Sequence, residues 1–183
     1  MTVATAGRAK GEAGFTLLDL LFVIAIIGLL ATAAIPGLTR ARSVAQSASA
    51  LGTLQVVNSA QLSFAITCGL GFYAPGFPTL TTPPPGSAQP FLPPELATGA
   101  TFIKAGYNFS MAGNALAGAP GSCNGVPAGT TVPAYAAVAD YLGANPNARF
   151  FGTNADGVIY EHNLSLAGVM PDTGPPPVGS PIK

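Results

Sequence analysis

A single long run without charged residues constrains this chain more than any other feature of its sequence. No charged residue occurs from Leu20 to Thr39, and Asp19 is the only one between Phe15 and Thr39. A helix of about 20 residues extends roughly 30 Å, which is the thickness of the hydrocarbon core of a bilayer. The run therefore predicts one membrane-spanning helix over residues 15–39, and no second run of this kind follows it.

The composition excludes several classes of protein. Hydrophobic residues make up 49% of the 183 residues and charged residues only 8%, whereas an ordinary soluble domain carries about 25% charged residues. The seven basic and seven acidic side chains cancel, and after Arg42 the only basic residues are Lys104, Arg149 and Lys183. We therefore expect no nucleic-acid partner. The 23 Gly residues follow no Gly-X-Y period, which excludes collagen, and the high hydrophobicity excludes charge-driven disorder.

Residues 1–14 read as a leader with the basic side chains Arg8 and Lys10. Positive charge ahead of an apolar run keeps that end of the chain in the cytoplasm, so the rest of the chain is predicted to lie on the other side of the membrane. An ordinary secretory signal would be cut after the apolar run, near Ala34. The competing interpretation is a cut before the run.

That second interpretation rests on a resemblance. The sequence from Gly14 to Pro36 closely resembles the N-terminus of type IV pilins and type II secretion pseudopilins. That family has a Gly before the cleavage site, a Phe after it, an acidic fifth residue in the mature chain, a Gly within the span and a Pro near its end. These residues are Gly14, Phe15, Asp19, Gly28 and Pro36 here. One departure is that the family's acidic residue is nearly always Glu, whereas Asp19 is one methylene shorter.

The resemblance implies a processing step and a structural function. A prepilin peptidase would cut after Gly14 and methylate the new amine of Phe15, so both residues would be positions in a substrate and the chain itself no enzyme. The chain would be a subunit of a type IV pilus. The alternative is a pseudopilin of a type II secretion system, and a remote alternative is a membrane-anchored binding module that uses this N-terminus.

The resemblance also implies partners and a location. The partners would be the peptidase, an inner-membrane assembly platform, membrane lipid before assembly, and further pilin subunits in a homo-oligomeric or mixed filament. The protein would span the bacterial inner membrane once, with its C-terminal domain in the periplasm, and then enter a periplasmic or cell-surface filament.

Asp19 is unusual on physical grounds alone. A carboxylate within a spanning helix costs roughly 2.5–3.5 kcal/mol on insertion scales and usually has a partner, yet the span contains no Lys, Arg or His. The nearest positive charge of the mature chain would be the amine of Phe15, and in the family the acid pairs with that amine of a neighbouring subunit. The alternative is an interfacial acid that reaches headgroups or water.

Gly28 and Pro36 predict a kink or local melting of the helix within the span. The alternative is a kink that has no mechanical role.

After the span, apolar residues recur at mostly three- and four-residue steps, which predicts that the helix continues as an amphipathic segment over residues 40–68. The Gly-rich stretch from Gly69 to Gly71 ends it. The spaced residues are Ala41, Val44, Ala45, Ala48, Leu51, Leu54, Asn58, Leu62 and Ala65.

The remainder predicts a small sheet. Residues 69–100 are rich in Pro and Gly and read as a connecting loop. Within residues 101–183 we predict an antiparallel sheet of about four strands, with Asp156-Gly157 as a hairpin turn, followed by a frayed Pro-rich tail. The fold class is therefore α+β and, by the resemblance, type IV pilin-like. The predicted strands are 101–110, with Tyr107 and Phe109 on one face, 133–141, 148–152 and 158–161.

Cys68 and Cys123 are the only cysteines. Outside the cytoplasm they meet an oxidising compartment, and we predict a disulfide, which would contribute about 4 kcal/mol in the chain-entropy model. The alternative is two separate thiols. Zinc is disfavoured because a structural zinc site takes four ligands, and we expect no cofactor and no metal.

The remaining candidates for chemistry are weak. His162 reads as a solvent-facing residue at a strand end, and no Gly-x-Ser-x-Gly motif accompanies it. Asn154 and Asp156 could hold calcium, but a turn is the simpler explanation of these residues and one acid is weak for calcium. Two tripeptides, Asn108-Phe-Ser110 and Asn163-Leu-Ser165, match the pattern for N-linked glycosylation. Such tripeptides often arise by chance, and a bacterial context makes them weaker evidence.

Overall fold

The computed structural model describes residues 15–96, 99–145 and 147–182 and has an α+β architecture. A 51-residue helix, α1, is followed by a short helix, a 3-10 turn at Pro94–Leu96 and one antiparallel sheet in which consecutive strands are neighbours. The chain divides into two compact units between Arg42 and Ser43. The elements are α1 (Leu17–Thr67), α2 (Phe77–Leu80), β1 (Thr101–Lys104), β2 (Tyr107–Ala112), β3 (Ala136–Tyr141), β4 (Phe150–Asn154), β5 (Ile159–His162) and β6 (Ser180–Pro181).

In the C-terminal unit, the part of α1 after Arg42 packs against one face of the sheet. Its fully buried apolar side chains, such as Leu54 and Phe64, join the inward side chains of the strands in one hydrophobic core. Tyr107 and Phe109 lie on the same buried face of β2, as predicted. The core residues that the sheet contributes are Phe102, Tyr107, Phe109, Ala137, Ala139, Phe151 and Ile159.

The buried stripe of α1 differs from the predicted one. Val44 and Leu62, which the apolar spacing placed on the inner face, are 62% and 55% exposed. Polar residues explain the difference, because Ser47 and Gln61 occupy core positions that a search for apolar periodicity passes over. The buried residues of this part of the helix are Ser47, Ala50, Thr53, Leu54, Val57, Ala60, Gln61, Phe64 and Ala65.

Part of the opposite face of the sheet is covered by the segment that follows β5. Leu166 and Met170 from this segment pack with Val138 and Tyr160 in a second, smaller core. Gly152 in β4 permits this close approach, because a β-carbon at that position would lie 3.1 Å from both Leu166 Cδ1 and Met170 Sδ. The sheet is therefore covered on both faces around β3 to β5, whereas Ile103 of β1 is 70% exposed.

The prediction of about four strands is wrong, since the sheet has six. The predicted strand 101–110 is two strands, β1 and β2, joined by a turn at Ala105 and Gly106. Both turn residues have positive φ, 50° and 80°, as two-residue hairpins of type I′ require. Ala-Gly is not one of the dipeptides that mark such turns in a sequence, because Ala seldom adopts positive φ.

The prediction of a frayed tail is also wrong. Ser180 pairs with Glu161 as β6 adds to the edge of β5, and the Ile182 amide donates a hydrogen bond of 2.8 Å to the Ile159 carbonyl. Upstream, the Gly174 amide donates to Asp156 Oδ2 at 2.7 Å. These contacts join the last residues to the sheet. The Pro residues between Gly174 and Ser180 exclude regular secondary structure there but do not prevent these contacts.

The predicted disulfide between Cys68 and Cys123 is confirmed and closes a sequence separation of 55 residues. It fastens the end of α1 to the loop between β2 and β3. Beside it, the fully buried Gln61 bonds both backbone groups of Ala74: its Nε2 donates to the Ala74 carbonyl at 3.0 Å, and its Oε1 accepts from the Ala74 amide at 2.9 Å. The connecting loop is thus fixed to α1 by covalent and polar contacts.

Candidate functional site

Thr16 and Asp19 cap the start of α1 through reciprocal hydrogen bonds. The Asp19 amide donates to Thr16 Oγ1 at 3.2 Å, while the Thr16 amide and hydroxyl donate to Asp19 Oδ2 at 3.1 and 2.8 Å. This is the geometry of a capping box, in which the residue before the helix and the third helical residue satisfy each other's backbone donors. Asp19 therefore has two donors within its own chain.

The partners predicted for Asp19 were the Phe15 amine of a neighbour or, alternatively, headgroups and water, and they did not include Thr16. The pattern Thr-x-x-Asp immediately before an apolar run carried that signal. Phe15 directly precedes the capped turn, whereas Gly14 lies outside the described residues. The capping box places the carboxylate at the very beginning of the helix, next to the position at which the resemblance puts the mature amino terminus.

From Leu17 to Arg42, every side chain that the structure describes is exposed. The large apolar residues lie on all sides of this part of α1 rather than on one stripe. A helix that is hydrophobic all round belongs in a membrane or in a large core. By length and composition, α1 is apolar enough to cross a membrane. The exposed residues include Phe15, Leu17, Leu18, Leu20, Leu21, Phe22, Ile24, Ile27, Leu29, Leu30, Ile35 and Leu38.

Gly28 and Pro36, the two predicted sites of flexibility, both lie within α1. The helix runs through both positions. Pro36 has no amide hydrogen to donate to the carbonyl one turn earlier, so one hydrogen bond of the ladder is missing there. A β-carbon added at Gly28 would meet no atom within 4 Å, so nothing in the chain's own packing requires a glycine at this position. The kink or local melting stays a prediction.

Arg40 and Arg42 follow the apolar segment directly and are both exposed. Within the described ranges the ion pair is between Arg149 and Glu161 in the C-terminal unit, and neither Arg40 nor Arg42 takes part in it. Arginines at the end of an apolar run extend their guanidinium groups to the water-facing side of a membrane interface. Their positions mark where the apolar character of α1 ends.

The residues weighed for chemistry have structural contacts instead. His162 ends β5, and its Nδ1 lies 3.2 Å from the Leu164 amide, which donates to it. Asn154 Nδ2 donates to the Gly174 carbonyl at 2.6 Å and Asp156 accepts from the Gly174 amide, so both hold the tail against the β4–β5 turn. Among residues 15–96, 99–145 and 147–182, no group of three or more His, Cys, Asp or Glu side chains comes together.

Comparison with known proteins identifies no relative. The chain matches no protein-family model, no curated protein and no solved structure. The features that bear on function are therefore the capped acid, the exposed apolar segment and the packed C-terminal unit.

Proposed function

We propose that the chain is a structural subunit of a type IV pilus or pilus-like filament, processed by a prepilin peptidase and assembled through its N-terminal helix. One observation carries this proposal. An apolar helical segment, exposed on all sides, begins with a capped acid at the position where pilins have theirs. The same helix continues into a unit that folds around its own sheet.

The exposed apolar segment needs partners from outside the chain. Contiguous exposed apolar surface of this extent marks a membrane or protein interaction site. Lipid would cover the segment before assembly, and equivalent helices of other subunits would cover it in a filament. These side chains stay out of water when other apolar helices replace lipid around them. Transfer from the membrane to a filament therefore need not expose them to water.

Asp19 would set the register between subunits. In the proposed filament its carboxylate faces the Phe15 amine of a neighbouring subunit. Thr16 would help by holding the carboxylate at the first turn of α1, so the side chain loses little further freedom when the neighbour arrives. Within the membrane, the two Thr16 donors would offset part of the cost of burying the charge.

The disulfide supports the proposed topology. A Cys68–Cys123 bond is typical of proteins in oxidising compartments such as the periplasm. The basic residues Arg8 and Lys10 of the leader favour a cytoplasmic N-terminus by the positive-inside rule. Both observations favour the proposed location of the C-terminal unit on the periplasmic side of an inner membrane.

The test is assembly of an Asp19→Ala variant. Wild-type and variant proteins are co-expressed with the assembly machinery, and their ratio in sheared filaments is compared with their ratio in the membrane. Membrane insertion should be at least as efficient without the charge. Filament incorporation should fall by about tenfold or more, because the Phe15 amine of a neighbour loses its counter-charge in an apolar environment.

Asp19→Glu is the matched control and should be incorporated normally, since it restores the carboxylate of most family members. Equal incorporation of Asp19→Ala would show that the carboxylate is merely tolerated at the membrane interface. The location of the filaments distinguishes the pilus from the pseudopilin alternative. Sheared surface filaments indicate a pilus, whereas filaments confined to the periplasm indicate a secretion pseudopilin.

A further inference from the structure

The two Asn-x-Ser tripeptides have the same pattern but occupy different structural environments. Asn108 lies within β2, where it is half-buried and paired with Ile103 on one side and Asp140 on the other. Asn163 lies just after β5 in an exposed irregular segment. An enzyme that modifies an asparagine must reach its amide nitrogen and the backbone around it. The fold leaves only the second tripeptide open to such an enzyme.

We propose that Asn163 is an acceptor for N-linked glycosylation by a membrane oligosaccharyltransferase. The donor would be an oligosaccharide joined through a pyrophosphate to a lipid. The Asn163 amide nitrogen forms a bond to the anomeric carbon of the sugar, and the bond from that carbon to the pyrophosphate oxygen breaks. The amide gives up one proton to a base on the transferase, and the lipid pyrophosphate leaves. The proposal rests on the proposed function only for export of this unit from the cytoplasm.

The contacts around Asn163 leave its amide accessible. No hydrogen bond joins the Asn163 side chain to another described residue, and Leu164 at the middle position is 65% exposed. The Ser165 hydroxyl lies on the surface, where it donates to Asp140 Oδ1 at 2.6 Å and accepts from the Ala167 amide at 3.1 Å. One side-chain contact therefore has to be released for the Ser165 hydroxyl to be recognised.

A polar groove lies beside this asparagine and would receive the first sugars. It has a volume of about 540 Å³, within the size range of small-molecule sites. Its guanidinium, amide and hydroxyl groups are donors and acceptors that suit sugar hydroxyls. Its polar lining residues are Asn147, Arg149, Glu161, His162, Asn163 and Ser180.

An attached oligosaccharide would also change the surface of a chain with few charges. Only 8% of the residues are charged, and Leu164 and Leu142 expose more than half of their surface. A bulky polar glycan at Asn163 would cover the adjacent Leu164 and increase solubility. The benefit would be largest for a protein present in many copies.

The experiment uses the full chain purified from the membranes of its native host. Intact-mass and peptide mass spectrometry should find an oligosaccharide on the Asn163 peptide. Asn163→Gln and Ser165→Ala should each abolish the added mass, whereas Ser165→Thr should retain it because the hydroxyl is kept. Asn108→Gln is the matched control and should leave the added mass unchanged.

The same spectra keep this proposal separate from the proposed function, because they also report the N-terminus. A mature chain that begins at Phe15 and carries no sugar on the Asn163 peptide would overturn the acceptor proposal and leave the function standing. Sugar on Asn108 in place of Asn163 would overturn it as well. A glycosylated chain that begins after Ala34 would support the acceptor and contradict the proposed processing.

Discussion

The two halves of α1 have the same secondary structure and opposite surroundings. Between Leu17 and Arg42 every described side chain is exposed, whereas the half from Ser43 to Thr67 contributes fully buried residues such as Leu54 to the core. The contrast shows that a long helix can contribute buried side chains to the described core from its second half alone. The function proposed for the protein lies in the exposed half.

The polar side chains of the two halves of α1 also differ in where their hydrogen-bond partners lie. The second half holds Asn58, whose Nδ2 donates to Thr153 Oγ1 at 2.8 Å and whose Oδ1 accepts from the Tyr135 hydroxyl at 2.9 Å. The first half holds the Thr16–Asp19 cap at its beginning. Polar residues in the packed half therefore fix the helix to its own sheet, whereas Thr16 and Asp19 bond each other at the start of the exposed half.

Ser47 and Tyr107 form another such contact, because their hydroxyl oxygens lie 3.2 Å apart. Burial raises the pKa of the Tyr107 hydroxyl, an effect that the hydrogen bond with Ser47 opposes. The folded state therefore favours the neutral phenol. The contribution of Tyr107 to the free energy of unfolding is therefore fully present below the ordinary pKa of tyrosine, about 10. It is lost as the pH rises through the higher pKa that the Tyr107 hydroxyl has in the folded protein.

Loss of the disulfide should have the largest effect on the packed half. Cys68→Ser is expected to lower the free energy of unfolding by about 4 kcal/mol. In the chain-entropy model, closing a loop of this length reduces the conformational entropy of the unfolded chain by an equivalent free energy. Denaturant unfolding of a fragment containing Ser43–Lys183 measures the change. Cys68→Ser/Cys123→Ser is the control and should be destabilised to a similar extent. Two reactive thiols in the folded wild-type fragment would refute the bond.

Truncation of a core leucine tests the difference between the two faces of the packed half. Leu54→Ala should destabilise the same fragment by about 3 kcal/mol, since Leu54 is fully buried and its loss leaves a cavity. Leu62→Ala, on the face that the apolar spacing wrongly placed inside, should change the free energy of unfolding by less than about 0.5 kcal/mol. Equal effects at the two positions would contradict the orientation of the helix. Leu30→Ala in the full chain should leave the C-terminal unit unaffected.

Removal of the Asn58 amide should have a smaller effect. Asn58→Ala leaves the Tyr135 hydroxyl without its acceptor in a buried position, which should cost about 2 kcal/mol. Ser59→Ala is the matched control, because among the described residues the Ser59 hydroxyl bonds just the Gln55 carbonyl of its own helix. Chemical denaturation of both variants gives the comparison. Equal losses of stability at positions 58 and 59 would show that the hydrogen bonds of Asn58 with Thr153 and Tyr135 add nothing.

The smallest expected effect is a gain at the β1–β2 turn. Ala105 has a φ of 50°, a conformation that Asn tolerates much better than Ala. Ala105→Asn should therefore raise the stability of the fragment by up to about 1 kcal/mol. Thermal unfolding measures the shift. A lower melting temperature would mean that the turn does not have this geometry in solution.

The sequence was sufficient for features that depend on local pattern. The apolar run, the end of α1 near Gly69 and the inward face of β2 all follow from spacing and composition. The two cysteines, Cys68 and Cys123, predict the disulfide because the leader's charges indicate that they lie outside the cytoplasm, in an oxidising compartment. Local spacing also indicates the capping box, since Thr16 stands three residues before Asp19, although the predictions above do not include it.

Features that depend on distant residues could not be predicted. The tail is ordered because Gly174 meets Asn154 and Asp156, which lie about 20 residues earlier in the chain. Gln61 is buried because the Ala74 backbone satisfies it, and no periodicity of apolar residues indicates such a pairing. A turn formed by Ala105 is likewise stabilised by the pairing of the strands on either side rather than by its own sequence.

The mass of the mature protein tests the central proposal most directly. Full-length protein extracted from membranes that contain a prepilin peptidase should begin at Phe15 and carry one methyl group on its amine. Gly14→Val should retain residues 1–14, because the bulky side chain blocks the residue before the cut. A wild-type protein that keeps residues 1–14 in the presence of the peptidase, or one that begins after Ala34, would contradict the proposal.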